Sequence, residues 1–307
     1  MQRFRVLRTD WSIPWLVMAA LWILGPATSW AQKKGETVLR QETLTTRDGV
    51  KLNAFYYPSD VGRQAIPVMI IHDWGGQASP YAPLVAAFHE AGFAVLAPDL
   101  RGHGASDRET DASAPGGKRK LDPSQMSRRE VQEILLSDLE AVKGFLKAEN
   151  NDEKLNLNSL VVVGAGEGAV LAVQWSMRDW QFPSLGQIKQ GQDVKSLVLV
   201  SPDKQLKGVP ITPVYQDANL QQLPIMIVSG RQGPESGDVT RMAKRIEAGK
   251  RRLGRGTVTG FELAWQPTSL TAPALVGEVK SVPESIVKFI EENVPVDEAV
   301  HPWVYRR

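Results

Sequence analysis

A glycine-rich turn is the part of this sequence with the clearest potential for chemistry. The apolar residues 160–163 precede Gly164-Ala165-Gly166-Glu167-Gly168, and Ala169 follows. A short apolar run bounded by glycine is typical of a strand buried on both faces, and the glycines permit a sharp turn into a helix. Such a turn presents a serine nucleophile when it reads G-x-S-x-G, and it holds a pyrophosphate when it reads G-x-G-x-x-G/A. The sequence matches the second pattern literally, and it matches the first only if glycine has replaced the nucleophile.

The composition limits the other groups that can take part in catalysis. The 307 residues include no cysteine, which excludes disulfides, thiol nucleophiles and thiolate metal sites. The bases and imidazole ligands available are His72, His89, His103 and His301. Asp73, Asp99 and His72 end neighbouring predicted strands, but no ligand-spacing motif supports a metal ion, and we expect none. The net charge of +2 gives no reason to expect a nucleic-acid partner.

The segments around the turn alternate between strand and helix patterns. Strands are predicted over 67–71, 93–97, 160–163, 196–200, 225–229 and 258–265, and helices over 81–91, 131–148, 239–252 and 283–293. A hairpin around Asp48-Gly49 comes before them, and 107–128 is predicted to be a charged surface loop. This order predicts one α/β domain with a mostly parallel central sheet, an N-terminal antiparallel hairpin and helices on both faces.

The position of the glycine turn argues against a dinucleotide cofactor. In dinucleotide-binding folds the turn follows the first strand, and an acidic residue ends the second strand about 20 positions later. Here the turn follows a middle strand, and the next strand ends at Asp203, well beyond that spacing. We therefore expect no cofactor.

Residues 1–31 have the pattern of a signal peptide. Three arginines within 1–12 precede an apolar run over 13–24, and small residues fit a cleavage site after Ala31. The run is shorter than the roughly 20 residues of a membrane-spanning helix, so an uncleaved anchor is the weaker alternative. We expect a protein that is periplasmic or secreted, with one domain over 32–307 and no stable membrane span after cleavage.

Three stretches, in this order, resemble the α/β-hydrolase superfamily, and in particular its lipase-like, serine aminopeptidase-like and dienelactone hydrolase-like members. They are the Asp48-Gly49 hairpin, VMIIHDWGG at 68–76, which is similar to the family's strand and oxyanion loop, and VLAPDLRGHGAS at 95–106, which is similar to its P-D-x-R-G-x-G-x-S stretch. The resemblance covers about 42–293 and places the glycine turn at the nucleophile elbow. Few residues separate Val200 from the next strand, so it implies little or no cap domain.

The resemblance also implies a catalytic triad, and this sequence lacks its nucleophile and its base. In the family a serine at the elbow attacks the carbonyl, a histidine takes its proton, and an acid orients the histidine. Transferred by position, the nucleophile falls on Gly166. The base should follow the strand that ends at Trp265, but 266–273 contains no histidine, and the remaining one is His301 in the tail.

Few residues near the acid position or the elbow could replace the missing members of the triad. The acid falls at about Gly233, with Glu235 and Asp238 close by. Glu167 lies beside the nucleophile position, where the family uses the backbone N–H, so it is expected to line the site or to pair with Arg101. The other hydroxyl–histidine combinations to compare are Ser106, Ser201, Ser229 and Ser269 with His72, His103 and His301.

The scaffold of a binding site is expected to survive without the triad. Ligands of open α/β sheets bind at the carboxyl ends of the strands. The resemblance places a residual pocket at His72, Asp73, Trp74 and Glu167, with oxyanion donors among their backbone N–H groups. We expect a non-catalytic module that binds a small molecule or a protein. The alternative is a serine-hydrolase-type esterase, lipase or peptidase with unrecognised catalytic groups.

Overall fold

Eight strands form one mixed sheet, and its middle strands are the apolar runs of the sequence. The computed structural model describes residues 39–110, 118–183 and 188–306. The sheet contains β1 (Arg40–Thr45), β2 (Lys51–Tyr57), β3 (Pro67–Ile71), β4 (Ala94–Pro98), β7 (Leu160–Ala165), β8 (Val194–Val200), β11 (Ile225–Gly230) and β12 (Phe261–Gln266). Two separate short ladders are formed by β5 (Arg108–Thr110) with β6 (Lys118–Lys120), and by β9 (Gln205–Leu206) with β10 (Val209–Pro210).

The direction of the strands confirms the predicted architecture. The order across the sheet is β1-β2-β4-β3-β7-β8-β11-β12. The β1–β2 hairpin is antiparallel and meets β4 antiparallel, whereas the other six strands run parallel to one another. The hairpin turns at Asp48-Gly49, where Gly49 adopts φ +85, a left-handed conformation that glycine accepts without strain.

Helices cover both faces of the sheet because alternate residues of each strand point to opposite sides. The helices are α1 (Ala82–Glu90), α2 (Arg128–Glu133), α3 (Leu139–Asn151), α4 (Gly168–Gln181), α5 (Pro213–Gln216), α6 (Ser236–Leu253), α7 (Ala274–Glu278) and α8 (Ser281–Asn293). In β7, Val162 packs in an apolar cluster with α2 to α6, whereas Val161 and Val163 pack in a second cluster with α1, α7 and α8. The glycine turn therefore follows a strand that is buried on both faces, as predicted.

The segment 107–128 contains regular structure that its composition did not predict. Within its described part, β5 pairs with β6, and α2 begins directly afterwards. The side chain of Ser127 accepts the Glu130 N–H, and the Glu130 carboxylate accepts the Ser127 N–H at 2.7 Å. This capping box is a helix-start signal that apolar periodicity alone does not contain.

Several element boundaries also differ from the prediction. The single helix expected over 131–148 is α2 and α3 joined by a π-helical turn over Ile134–Asp138. A π-helical turn holds one more residue than an α-helical turn, so it shifts the apolar pattern by one position without ending the helix. In addition, β8 begins at Val194 and β12 begins at Phe261.

The predicted signal peptide, 1–31, and the predicted start of the exported domain at Gln32 lie outside the described residues. The described part of the chain begins just before β1, so it includes the whole sheet. In that part, no helix combines the length and the apolar character required to cross a bilayer.

The parallel strands all end at one edge of the sheet, which we call the carboxyl edge. It is formed by the loops that follow β3, β4, β7, β8, β11 and β12, and the opposite edge is called the amino edge. Between β8 and β11, the described chain holds the β9–β10 ladder, α5 and one 3₁₀ turn. The insertion between these two strands is therefore small.

Candidate binding pocket at the carboxyl edge

The turn between β7 and α4 has the geometry of a nucleophile elbow. Gly166 adopts φ +53, which a residue with a side chain adopts only under strain. Its N–H donates to the Val200 carbonyl at 3.0 Å, and its own carbonyl accepts the Asp203 N–H at 3.1 Å. A Cβ at Gly168 would lie 2.2 Å from the His72 carbonyl oxygen, so this glycine is required for the close approach of α4 to the loop after β3. The elbow is therefore intact although it presents no side chain.

The space in front of Gly166 is bordered by Asp73. A Cβ built at Gly166 would lie 3.1 Å from the Asp73 Cβ. The two backbone groups expected to serve as oxyanion donors are the N–H groups of Trp74 and Glu167, and neither donates a hydrogen bond to another described residue. Both N–H groups remain available to an acceptor on a ligand.

A cavity of about 320 Å³ opens beside the elbow, and we call it the elbow cavity. Gly166 forms part of its wall, together with Ser201, Lys204, Pro234 and the loop after β12 at Thr271 and Ala272. Its other lining side chains are five carboxylates: Asp73, Glu167, Asp203, Glu235 and Asp238. No histidine is among its described lining residues.

The acid position of the fold is filled from a neighbouring residue. A Cβ at Gly233 would lie 2.7 Å from Glu235 Oε2, so the Glu235 carboxylate occupies the space beside the position predicted for the acid. Ser229 Oγ donates to Glu235 Oε1 at 2.8 Å. Glu235 is 8% exposed, and its Oε2 has no hydrogen-bond partner among the described residues.

The carboxylates that line the elbow cavity differ in the positive charges that lie near them. Burial raises the pKa of Asp203 to about 6, and the negative charges of Glu167, Glu235 and Asp238 add to the effect. The pKa of Asp238 is lowered, chiefly by its hydrogen bond from Arg241, and Lys204 lies 3.4 Å from its carboxylate. Within the described residues, no ion pair involves any of the other four lining carboxylates.

The two histidines near this edge hold loops and do not reach the cavity. His72 Nδ1–H donates to the Asp73 carbonyl at 2.7 Å, and its Nε2 accepts the Leu100 N–H at 3.1 Å, so these partners assign a neutral tautomer. His103 Nδ1 lies 2.9 Å from the Arg101 carbonyl. Burial, with the neighbouring His72, lowers the pKa of His103 to about 4, and burial also lowers the pKa of His72.

Two of the four residues predicted to form the residual pocket line the elbow cavity, and the other two do not. Asp73 and Glu167 line the elbow cavity, whereas His72 is fully buried behind it. Trp74 packs edge-on against the His103 ring, with a centroid distance of 4.7 Å, and does not line the cavity. Neither Trp74 nor Glu167 fills the space in front of the elbow.

The proposed hydroxyl–histidine combinations are not assembled. Among the described residues, no hydrogen bond joins a serine hydroxyl to a histidine ring. Ser106 donates to the Asp99 carbonyl, and Ser269 is exposed. The carbonyl of His301 accepts from Asn156 at the amino edge, so this histidine lies at the other end of the strands.

Arg101 belongs to a structural network instead of pairing with Glu167. Its guanidinium donates to Asp138 at 2.5 Å and to Asp48 at 2.7 Å, which ties the hairpin turn to the π-helical turn. These two carboxylates satisfy the charge of a nearly buried cation. Of the two roles predicted for Glu167, the structure places it in the cavity wall.

Sequence reasoning named Ser201 as a hydroxyl to compare and Glu235 as a residue near the acid position, but it gave Asp203 no role in the site. The Ser-Pro-Asp sequence directly after β8 is a signal that could have directed attention to Asp203. Ser201 is 3% exposed and adopts φ +44, and its Oγ has no partner among the described residues. Within the same residues, no group of three or more acidic or histidine side chains is arranged to hold a metal ion.

Comparisons with known proteins agree with this geometry. The sequence model of the serine aminopeptidase S33 family matches residues 63–247. An esterase from Pyrococcus furiosus is 17% identical, with a TM-score of 0.58 over 84% of this chain and 92% of that chain. A thermostable carboxyl esterase from Bacillus coagulans, solved with glycerol, is 13% identical, with a TM-score of 0.58 over 84% and 99% of the two chains. No curated protein matches the sequence. The resemblance and fold predicted from the motifs are confirmed.

Proposed function

Because this chain belongs to the serine aminopeptidase S33 family of α/β hydrolases, we propose that it retains the pocket of that fold as a binding site without serine hydrolysis. One observation carries the proposal: the residue at the elbow is Gly166, which has no side chain to attack a carbonyl. A nucleophile, a base within hydrogen-bond reach of it and donors facing the same point are all needed for acyl transfer. Among the described residues around the elbow, only the donors are present.

The surroundings of the elbow support the same proposal. The loop after β12, which carries the base in this fold, contributes Thr271 and Ala272 to the cavity wall. The neutral His72 and His103 are engaged by backbone groups. A serine restored at position 166 would therefore find no base to take its proton, and serine is a weak nucleophile without one.

A second candidate is an ester or amide hydrolase that uses groups other than the triad. Family membership favours it, and so does Asp203, because a carboxyl group with a pKa of about 6 can exchange protons near neutral pH. The structural neighbours named as esterases agree with it at the level of fold. This candidate covers catalytic groups outside the elbow, whether or not a serine is among them.

Hydrolysis of p-nitrophenyl acetate and p-nitrophenyl palmitate by the purified protein tests the two candidates. We expect no turnover by the wild type, and none by Gly166→Ser above the matched control Gly166→Ala, which adds the same Cβ without a hydroxyl. Circular dichroism checks that both variants fold, because the new Cβ lies 3.1 Å from the Asp73 Cβ. The Pyrococcus furiosus esterase serves as the positive control.

Turnover by the wild type would contradict the proposal in one of two ways. Turnover that persists after a serine-reactive fluorophosphonate would favour the second candidate. Turnover abolished by that reagent would mean that a serine outside the elbow is the nucleophile, and Ser201 would be the first to replace.

We also propose that the protein is exported and that it acts in the periplasm or outside the cell. The support is the arginine-rich start, the short apolar run and the small residues before Ala31. When the full sequence is expressed in a bacterial host, N-terminal sequencing should give Gln32 as the first residue of the mature protein. Recovery of the chain with residues 1–31 still attached would contradict cleavage.

A further inference from the structure

A second cavity adjoins the elbow cavity and carries the opposite charge. Its volume is about 250 Å³, and it is lined by α6 and by the segment between β8 and β11, so we call it the α6 cavity. Three cations line it: Lys204, Arg241 and Arg245. The one carboxylate among its described lining residues is Asp238. Gly166 is not among them, so the α6 cavity is a neighbour of the elbow and not part of it.

The carboxylate of Asp238 balances only part of this positive charge. It pairs with Arg241, and Lys204 Nζ lies 3.4 Å from it. Arg245 has no carboxylate partner within the described part of the chain, and its guanidinium donates to the Tyr215 hydroxyl at 3.0 Å. Three cations against one carboxylate leave two positive charges in the lining. An anion with two negative charges would balance them.

The two arginines lie on the same face of α6. Residues 241 and 245 are one helical turn apart, and side chains at this spacing are neighbours. Like charges at this spacing repel each other, and an anion held between them removes the repulsion. The side chain of Arg241 is 67% exposed and that of Arg245 is also exposed, so a ligand can reach both. Planar guanidinium groups hold phosphate oxygens through paired N–H donors.

Other residues of the α6 cavity provide an apolar wall and fix one of the arginines. Ile211 and Met242 line the cavity with side chains that are 1% and 4% exposed. The Tyr215 ring centre lies 5.1 Å from the guanidinium carbon of Arg245, and its hydroxyl accepts from the same group, so Arg245 is held in one orientation. The Tyr215 hydroxyl keeps its own proton to donate to a ligand. The volume is below the usual range of ligand pockets, which favours a small ligand.

We propose that the α6 cavity binds a phosphate monoester with a small apolar body. Arg241 and Arg245 hold the phosphate oxygens, and the Tyr215 hydroxyl donates to the same group. Ile211 and Met242 contact the apolar body. A phosphate monoester carries about two negative charges near neutral pH, which matches the charge of the lining, whereas a carboxylate carries one. This site goes beyond the proposed function, because it does not include the elbow.

Isothermal titration calorimetry with phenyl phosphate tests the proposal on the purified protein. HEPES buffer at pH 7.5 and low salt is required, because phosphate buffer competes and salt screens the arginines. We expect saturable one-to-one binding of phenyl phosphate. Inorganic phosphate lacks the apolar body and benzoate carries a single charge, so each should bind about tenfold more weakly or worse. Phenol carries no charge at this pH and should not bind.

Matched variants connect the binding to the α6 cavity. Arg245→Gln should weaken phenyl phosphate by about tenfold or more. Arg245→Lys should weaken it as well, because an ammonium group keeps the charge but does not offer paired N–H donors. Arg252→Gln removes the same charge from an exposed position in the last turn of α6, outside the cavity lining, and should leave the affinity unchanged. Circular dichroism confirms that each variant is folded before titration.

Four results would overturn the proposal. Absence of phenyl phosphate binding would contradict the site itself, and equal affinity for inorganic phosphate would contradict the apolar body. Equal losses in Arg245→Gln and Arg252→Gln would mean that a diffuse basic surface attracts the ligand, and so would an unchanged affinity in Arg245→Lys. None of these results depends on ester turnover by the wild type, so failure of this site is distinguishable from failure of the proposed function.

Discussion

Buried carboxylates lie at both edges of the sheet, and the two groups are balanced in different ways. At the amino edge, Asp193 lies 3.0 Å from Lys143 and 3.1 Å from Lys189, and it also pairs with Arg306. Asp179 beside it accepts from Lys143 Nζ at 2.5 Å. At the carboxyl edge, Asp203 belongs to a group of acids in which only Asp238 has cations within ion-pairing distance among the described residues.

The pKa values of the two groups follow this difference. Burial alone would raise the pKa of Asp193, but Lys143, Lys189 and Arg306 lower it. Burial and the neighbouring acids act in the same direction on Asp203 and together raise its pKa to about 6. Burial therefore acts in the same direction at both edges, and the sign of the neighbouring charges decides the outcome.

The amino edge has its own imbalance, of opposite sign. Burial lowers the pKa of Lys195 to about 7, and the nearby Lys189 contributes. Lys195 donates to the Gln192 carbonyl and lies over the Trp180 ring at 5.2 Å, so its surplus charge is met by groups of the fold itself. The comparison teaches that cations pair with the carboxylates of the amino edge, whereas four of the five carboxylates that line the elbow cavity have no ion pair among the described residues.

Removal of the Asp179 carboxylate should disrupt the ion pairs of the amino edge. We expect the largest loss of stability from this substitution. Its carboxylate accepts Lys143 and also the N–H groups of Asp193 and Val194, at 2.6 and 3.1 Å. Asp179→Ala would leave a buried cation short of one partner and two backbone donors unpaired. We expect a loss of about 3 to 5 kcal/mol in the free energy of unfolding, measured by urea denaturation at pH 7.

An exposed ion pair provides the control for that measurement. Asp152 lies 2.9 Å from Lys154, and its side chain is 63% exposed. Asp152→Ala should cost less than about 1 kcal/mol, because solvent screens exposed pairs. Equal losses in the two variants would contradict the claim that the amino-edge carboxylates are structural.

The framework of the site could be predicted from sequence because it depends on local patterns. The apolar run of β7, the glycines of the elbow and the Asp48-Gly49 turn each specify their own backbone conformation, and all three are observed. The absence of a nucleophile at Gly166 could likewise be read directly. These features require no knowledge of how distant loops meet.

The charge arrangement of the cavity could not be predicted in the same way. Glu235 reaches the space beside Gly233 only because of the course of the turn after β11 and the hydrogen bond from Ser229. Asp203 lies near Glu167 because the loop after β8 bonds back to the Gly166 carbonyl. Neither contact has a periodic signal, and the pKa of Asp203 depends on both.

Removing the charge of Asp203 should have a smaller effect, in the opposite direction to Asp179→Ala. Asp203→Asn relieves repulsion from Glu167, Glu235 and Asp238 while it keeps the size of the side chain. Because Asp203 is only half-buried and solvent screens part of the repulsion, we expect a gain of about 1 kcal/mol above pH 6. A loss of stability in Asp203→Asn would mean that this carboxylate is a structural partner, like those of the amino edge.

The stability gain of Asp203→Asn should depend on pH, which gives a further test of the difference between the two edges. The folded-state pKa of Asp203, about 6, lies above its ordinary value of 3.8, so the folded protein holds this proton more tightly than the unfolded chain. The contribution of Asp203 to wild-type stability should therefore decline as pH rises from about 4 to 6, and the advantage of Asp203→Asn over the wild type should appear over the same interval. Urea midpoints of both proteins at pH 4, 5, 6 and 7 measure it.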